Sequence, residues 1–428
     1  MSDGMNFRRV AEIINRDPDR RYVIVSAPGR RFSGDGKVTD LLYDAHEVLA
    51  GGGDFHAAFQ KVRDRFSGIV RESGLDFDID TLLDTCEREI IQESSKDFTA
   101  SRGEYLAARV MAALLKVPFI DAKDAVKFFE NGALDNQTTF ALMREALKGK
   151  QRAVVAGFYG SLPNGKIKTF SRGGSDISGS IVARAAGAGL YENWTDVSGF
   201  LACDPHIVEN PERIPSLSYQ ELRELSYMGA NVLHSEAIFP VREANIPIRI
   251  KNTFRPDDEG TEILPIEKYR DTGKTVTGIA GRRHFTVIYI EKSLMNEQIG
   301  FAHRVLSLLV KYGISFEHMP SGIDTTSFII DSAYLGGGVL KKLCAEIKEA
   351  VSPDSMHVFE DVALLAVVGH GMSRDVMTSA KLFSAIATAG VNVRMIDQGS
   401  SQLNTIVGVD GADYERTVRA VYRAFFGE

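Results

Sequence analysis

Cysteine is nearly absent. Three residues, Cys86, Cys203 and Cys344, stand far apart at spacings that suit neither paired metal ligands nor a cystine-stapled scaffold, so a reducing compartment is expected. No uncharged apolar run is long enough to cross a bilayer, and Met1-Ser-Asp-Gly4 has no apolar signal core; a cytoplasmic protein with no membrane partner is the expectation. Neither sign of charge dominates: 50 basic residues stand against 57 acidic ones, a net charge of −7, which offers no general attraction for nucleic acid. What is present is an ordinary globular composition, 44% hydrophobic over 428 residues. That is enough chain for about two to four domains with cores of their own.

One stretch concentrates the chemistry. The β-rich run Ala153 to Phe158, a hairpin at Pro163-Asn-Gly165 and a second strand lead into Ser171-Arg-Gly-Gly-Ser-Asp176, where Ser175 and Asp176 mark the start of a helix. Gly173 and Gly174 allow close approach of the backbone to a ligand, and the N–H groups of the helix start favour an anion. Arg172 offers a fork for a carboxylate or phosphate, and Asp176 suits an ammonium group. Both signs at one corner fit recognition of an amino acid. Taken alone, the corner fits a packing turn equally well, with Arg172 and Asp176 as a surface pair worth under ~1 kcal/mol.

Along the chain, apolar Phe7, Val10, Ile13 and Ile14 predict a helix, and Tyr22 to Ser26 a buried strand. Pro28 to Gly36 reads as a polar, mobile, basic loop, with Thr39 and Asp40 placed to cap the helix after it. Residues 73–116 read as helical. Ser101 and Glu104 have the spacing of a capping box, which accounts for Glu104 without any function. Val117 to Asp121 and Ala153 to Phe158 are strands set between helical sequence, the alternation of an α/β layer fold. Thr195 and Asp196 end a further strand at its carboxyl edge, where open α/β sheets bind ligands, and Asp204-Pro205 turns the chain. A helix over Tyr219 to Val232 and a strand over Ile246 to Lys251 follow, and Phe254 to Gly260 is the best candidate linker.

The C-terminal third repeats itself. Lys311-Tyr-Gly-Ile-Ser-Phe316 matches Thr388-Ala-Gly-Val-Asn-Val393, and Gly313 and Met295 have counterparts 77 residues on, at Gly390 and Met372. Two inserted residues later, Phe328 to Asp331 meets Ile406 to Asp410. Each copy reads strand, loop, helix, strand, turn, strand: a duplicated binding unit suited to a small regulator, or a purely structural dimerisation module.

With Arg172-Gly-Gly-Ser-Asp176, Trp194-Thr-Asp-Val197, Asp204-Pro205, Gly229-Ala-Asn-Val-Leu-His234 and Asp397-Gln-Gly-Ser-Ser401 in view, nearly the whole chain resembles the aspartate kinases. The resemblance implies an α/β amino-acid kinase fold, an open, mostly parallel sheet with helices on both faces, over residues 1–262. Two C-terminal βαββαβ ACT domains are implied over 275–351 and 352–428. It implies transfer of the ATP γ-phosphoryl group to the side-chain carboxylate of L-aspartate, the first step toward lysine, threonine and methionine. A carboxylate is already nucleophilic at neutral pH, so alignment and charge neutralisation are the protein's task. Mg²⁺ on the ATP phosphates is implied with no dedicated metal cage.

By the same resemblance Arg172 holds a substrate carboxylate, Asp176 and Glu104 lie near the substrate amino group, and Thr39, Gly173, Gly174 and Ser175 complete the pocket. Thr195, Asp196, Leu201, Asp204, His206, Asn231 and Val232 correspond to nucleotide-binding positions. Met295, Gly300, Phe301 and Glu317 correspond to the effector loop of lysine-inhibited members, with threonine as the other candidate effector and a solvated acidic turn as the plain reading of Glu317. A homo-oligomer joined through the ACT domains is implied. Four departures stand out. The chain begins just past the family's Lys-Phe-Gly-Gly phosphate cradle, the Pro28 to Gly36 loop is long, Ser198 replaces a common aspartate, and His206 a common arginine. A truncated or misassigned start with little turnover is the expectation from the first of these, since one well-placed donor is worth about 2.7–4 kcal/mol. A catalytically silent amino-acid sensor that keeps the fold is the alternative.

Overall fold

In this computed structural model, residues 1–428 are described apart from 172, 231, 234, 270–272 and 428. The elements run α1 (Gly4–Asn15), β1 (Tyr22–Val25), α2 (Val38–Ala50), α3 (Phe55–Ser73), α4 (Ile79–Glu93), α5 (Lys96–Leu115), β2 (Phe119–Ile120), α6 (Ala122–Ala125), α7 (Asn136–Leu147), β3 (Ala153–Ala156), β4 (Tyr159–Ser161), β5 (Ile167–Thr169), α8 (Gly174–Ala186) and β6 (Tyr191–Thr195). They continue β7 (Ser216–Ser218), α9 (Tyr219–Tyr227), α10 (Phe239–Glu243), β8 (Ile248–Asn252) and β9 (Thr261–Leu264). The repeats follow as β10 (Gly278–Glu291), α11 (Phe301–Lys311), β11 (Thr325–Asp331), α12 (Val339–Val351), β12 (Ser355–Val368), α13 (Thr378–Thr388), β13 (Met395–Asp397), β14 (Asn404–Asp410) and α14 (Tyr414–Phe426). Two units divide the chain: Met1–Gly199 with Val232–Lys268, and Phe200–Asn231 with Tyr269–Glu428.

In the first unit β1, β3 and β2 form a parallel sheet in that order, with Tyr22 opposite Ala153 and Phe119 opposite Val154. All four residues of β3 are buried, as a parallel strand covered on both faces requires. β6 runs parallel to β8, and β8 antiparallel to β9. Acidic or hydroxyl caps start the helices: Asp54, Asp78, Ser95 and Asp135 each accept a backbone N–H of the first turn.

Three local expectations give way here. α5 begins at Lys96, so Ser101 sits inside the helix with its hydroxyl donating to the Phe98 carbonyl, and the Ser101/Glu104 capping box does not form. α2 begins at Val38 after Lys37, leaving Thr39 and Asp40 in the first turn rather than at the cap. Residues 254–260 join β8 to β9 within one unit and are not a linker. The loop after β1 is also tied down rather than mobile. The buried guanidinium of Arg65 donates to the carbonyls of Gly29 and Gly36 at 2.8 and 3.1 Å and to Asp35 at 2.6 Å.

The second unit carries one five-stranded antiparallel sheet, ordered β11-β10-β12-β14-β13. The repeat is exact in register: 278–291 returns as 355–368 and 301–311 as 378–388. Gly313 and Gly390 end the paired helices with φ of +65° and +66°. The copies are not two separate sheets. β10 and β12 pair along almost their whole length, β11 adds to the second half of β10, and β14 adds to the second half of β12. Register shifts where the halves meet, beside His284 and Asp361; these repeat-equivalent residues have φ of +68° and +53° and face each other at 3.5 Å. After α11 the expected strand is reduced to two isolated bridges, His318 with Ile329 and Ser321 with Thr326, whereas β13 forms in the second copy.

Residues 200–231 pack with the repeats. Ile279 N–H donates to the Ala202 carbonyl, and Glu212 N–H to the Tyr422 hydroxyl. Glu221, fully buried on α9, closes a capping box with Ser218 and accepts from the Thr277 hydroxyl at 2.6 Å and the His370 N–H at 3.2 Å.

Candidate active site

The carboxyl ends of the parallel strands β1 and β3 supply two loops. Ala27 follows β1 and donates its N–H to the carboxylate of Glu104 on α5. Gly103 makes that approach possible, because a Cβ there would lie 2.9 Å from Ala27 Cβ and 3.3 Å from Leu42 of α2. Glu104 is buried, and its Oε2 has no hydrogen-bond partner among the described residues. Burial is the main cause that pushes its pKa up to about 8, with the Ala27 N–H pulling the other way. Tyr43, one turn after Thr39 on α2, lies close enough to Asp97 and Glu104 for their charges to raise its pKa further, after burial. Tyr43 and Glu104 thus come together between α2 and α5, with Thr39 one turn before Tyr43 on α2.

Gly157 follows β3, and a Cβ on it would lie 3.2 Å from the Ser175 hydroxyl. The corner is built by close contact. Gly173 has φ of +58°, and a Cβ on Gly174 would fall 2.6 Å from the Phe158 ring and 3.0 Å from Phe158 Cα. Phe158 itself has φ of +75°; its N–H donates to Ser178 at 3.0 Å and its carbonyl accepts from Phe170 at 2.9 Å. Gly173 at the N-cap has no side chain with which to cap α8. That leaves the helix end open to an anion. Upstream, Asp97 at the start of α5 accepts from Lys168 at 3.0 Å and Thr169 at 2.7 Å, which ties α5 to β5 just before the corner.

Asp176 stands in the first turn of α8, where its Oδ1 accepts from Asn193 Nδ2 at 2.8 Å. Arg172 lies outside the described residues, as does Asn231. Thr195 ends β6 with its hydroxyl 3.1 Å from the exposed Asp196. Ser198 donates to Asp258 at 2.5 Å and accepts from Asn252 at 2.9 Å, so a carboxylate from the β8–β9 turn stands at this position. Leu201, Asp204 and His206 belong to the second unit, and Val232 to the first. Asp204 Oδ1 accepts the His206 N–H at 2.9 Å and lies 2.9 Å from its Nδ1. Among the described residues no group of three or more His, Cys, Asp or Glu side chains is arranged to hold a metal ion.

In the second unit, Met295 starts a short turn before α11, Gly300 caps that helix with φ of +79°, and Phe301 is buried in the core beneath β10 and β11. Glu317 is not a solvated turn residue. Its side chain is only 11% exposed, lies 3.7 Å from Arg282, which also binds Asp331 at 2.6 Å, and accepts a hydrogen bond from Tyr227. Asn193, Tyr43, Asp97, Phe158 and Arg65 escape a reading by sequence because each acts on a partner distant in the chain.

The Amino acid kinase family matches residues 1–252, and an ACT domain family matches residues 365–425. Aspartokinase 3 of Bacillus subtilis (strain 168) is 36% identical over 440 residues, an alignment that covers 100% of this chain and 96% of that protein. The crystal structure of Clostridium acetobutylicum aspartate kinase superposes with a TM-score of 0.95 at 47% identity, covering 99% of this chain and 97% of that one. E. coli aspartokinase III in complex with aspartate and ADP shares the fold, with a TM-score of 0.78 at 24% identity over 99% of this chain and 97% of that one. No helix of the described residues is long and apolar enough to cross a membrane.

Proposed function

The chain belongs to the aspartate kinase family, with an amino-acid kinase domain and ACT regulation, and on that premise we propose that L-aspartate is held between the carboxyl ends of β1 and β3 and the uncapped start of α8. The carrying observation is Glu104: a buried carboxyl group with one oxygen unpartnered among the described residues, beside the Ala27 loop and α2. A substrate ammonium group supplies the missing partner. Asp176 offers a second acceptor for it, while Arg172 holds a substrate carboxylate and Thr39, Ser175 and the Gly173-Gly174 backbone complete the pocket. The side-chain carboxylate of the substrate is then aligned for attack on the γ-phosphorus with no general base required.

ATP is assigned to Thr195, Asp196, Leu201, Asp204, His206, Asn231 and Val232. Mg²⁺ bound with ATP would supply charge neutralisation, and the exposed Asp196 would be one side chain able to hold it. The catalytic domain is assigned to residues 1–262, although its segment 200–231 belongs to the compact unit of the repeats, and the two ACT domains to 275–351 and 352–428 of a cytoplasmic homo-oligomer. Lysine or threonine acts at Met295, Gly300, Phe301 and Glu317, where the effector competes with Arg282 and Tyr227 for the Glu317 carboxylate.

Aspartate-dependent ADP release tests the catalytic reading. Asp176→Ala and Glu104→Ala are each expected to lower kcat/KM for aspartate by about a hundredfold or more, leaving KM for ATP within about twofold. Unchanged aspartate kinetics in both variants would sink the assignment.

A further inference from the structure

Asp176 is held by more than its place on α8. Asn193 Nδ2 donates one hydrogen to Asp176 Oδ1 at 2.8 Å and the other to the Tyr191 hydroxyl at 3.2 Å, and that hydroxyl donates to the Asp176 backbone carbonyl at 3.2 Å. The three bonds form a closed bracket on both the side chain and the main chain of one residue. Tyr191 and Asn193 are two apart on β6 and share a strand face with Thr195. Room for the bracket comes from Gly179, where a Cβ would lie 2.6 Å from the Tyr191 hydroxyl. Asn193 is buried, and desolvation, helped by the Asp176 charge, lifts the Tyr191 pKa far above the usual phenol value, so this hydroxyl stays a donor.

The amide at 193 is chemically specific. Its nitrogen faces the carboxylate, so an aspartate of the same size would set two like charges against each other. We propose that Asn193, supported by Tyr191, is a positioning residue that fixes the Asp176 carboxylate in the rotamer that meets the substrate ammonium group. It rests on the assignment of Asp176 and acts only through that residue.

The test is a double-mutant cycle on the full chain, with kcat and KM measured for aspartate and for ATP and folding followed by thermal melts. Asn193→Ala is expected to cost about tenfold to a hundredfold in kcat/KM for aspartate, with KM for ATP within about twofold, and to cost nothing further in an Asp176→Ala background. Asn193→Asp is expected to be worse than Asn193→Ala. Should Asn193→Ala not fold, Tyr191→Phe, which removes one hydroxyl, takes its place, with a smaller loss that also vanishes beside Asp176→Ala. An impaired Asp176→Ala with a silent Asn193→Ala, equal losses in both backgrounds, or an Asn193→Asp closer to wild type than Asn193→Ala would each overturn the bracket while leaving the site standing. A fully active Asp176→Ala would instead overturn the site assignment beneath it.

Discussion

Glu104 carries a pH dependence of definite sign. Its folded pKa, near 8, lies above the ordinary 4.5, so the folded chain keeps a proton that the unfolded chain has lost between those values. The stability tied to this proton is complete below about pH 4.5 and disappears as pH rises through 8. Glu104→Gln is therefore expected to match the wild-type melting temperature near pH 5 and to exceed it increasingly toward pH 8, as thermal melts across that range would show. Aspartate binding favours the ionised form, so kcat/KM for aspartate is expected to rise with pH, by at most about tenfold per unit, and to level off above 8. At the corner, Gly174→Ala forces a methyl against Phe158 and is expected to cost about 1–3 kcal/mol in urea denaturation. Both positions were visible in the sequence. Their surroundings were not, since Ala27 and Phe158 approach from elsewhere, and Ser95 captured the cap that local spacing had assigned to Ser101.

Elements with strong internal signals were legible: β1, β3, the β4–β5 hairpin and the paired helices of the repeat follow from apolar runs, Pro-Asn-Gly and the 77-residue offset. How β10 and β12 pair between the copies was not, because an edge pairing leaves no local trace in either strand. Nor was the role of Glu221, which reads as one of several charges on an amphipathic helix yet is buried beneath it. Removing its carboxylate strands the Ser218 and His370 N–H groups and the Thr277 hydroxyl. Glu221→Ala is accordingly expected to lose about 3 kcal/mol or more, read from denaturant midpoints. Combined with Thr277→Val, the loss should fall short of additive, since one bond is counted twice.

At the level of the molecule, the family match runs unbroken over 1–252, while 200–231 pack with the second unit. A fragment ending at residue 262 would contain α9 without β10 or β12, baring Leu222, Leu225 and the Glu221 carboxylate. It is expected to bind a hydrophobic dye and to aggregate, and the whole chain is expected to do neither. A soluble, monomeric fragment with a sharp melt would contradict the observed division.

The path of the chain passes from one unit to the other after Gly199, after residue 231 and after Lys268. A lone proteolytic nick cannot release either part, and neither can a lone genetic crossover exchange one for a homologous piece from another gene.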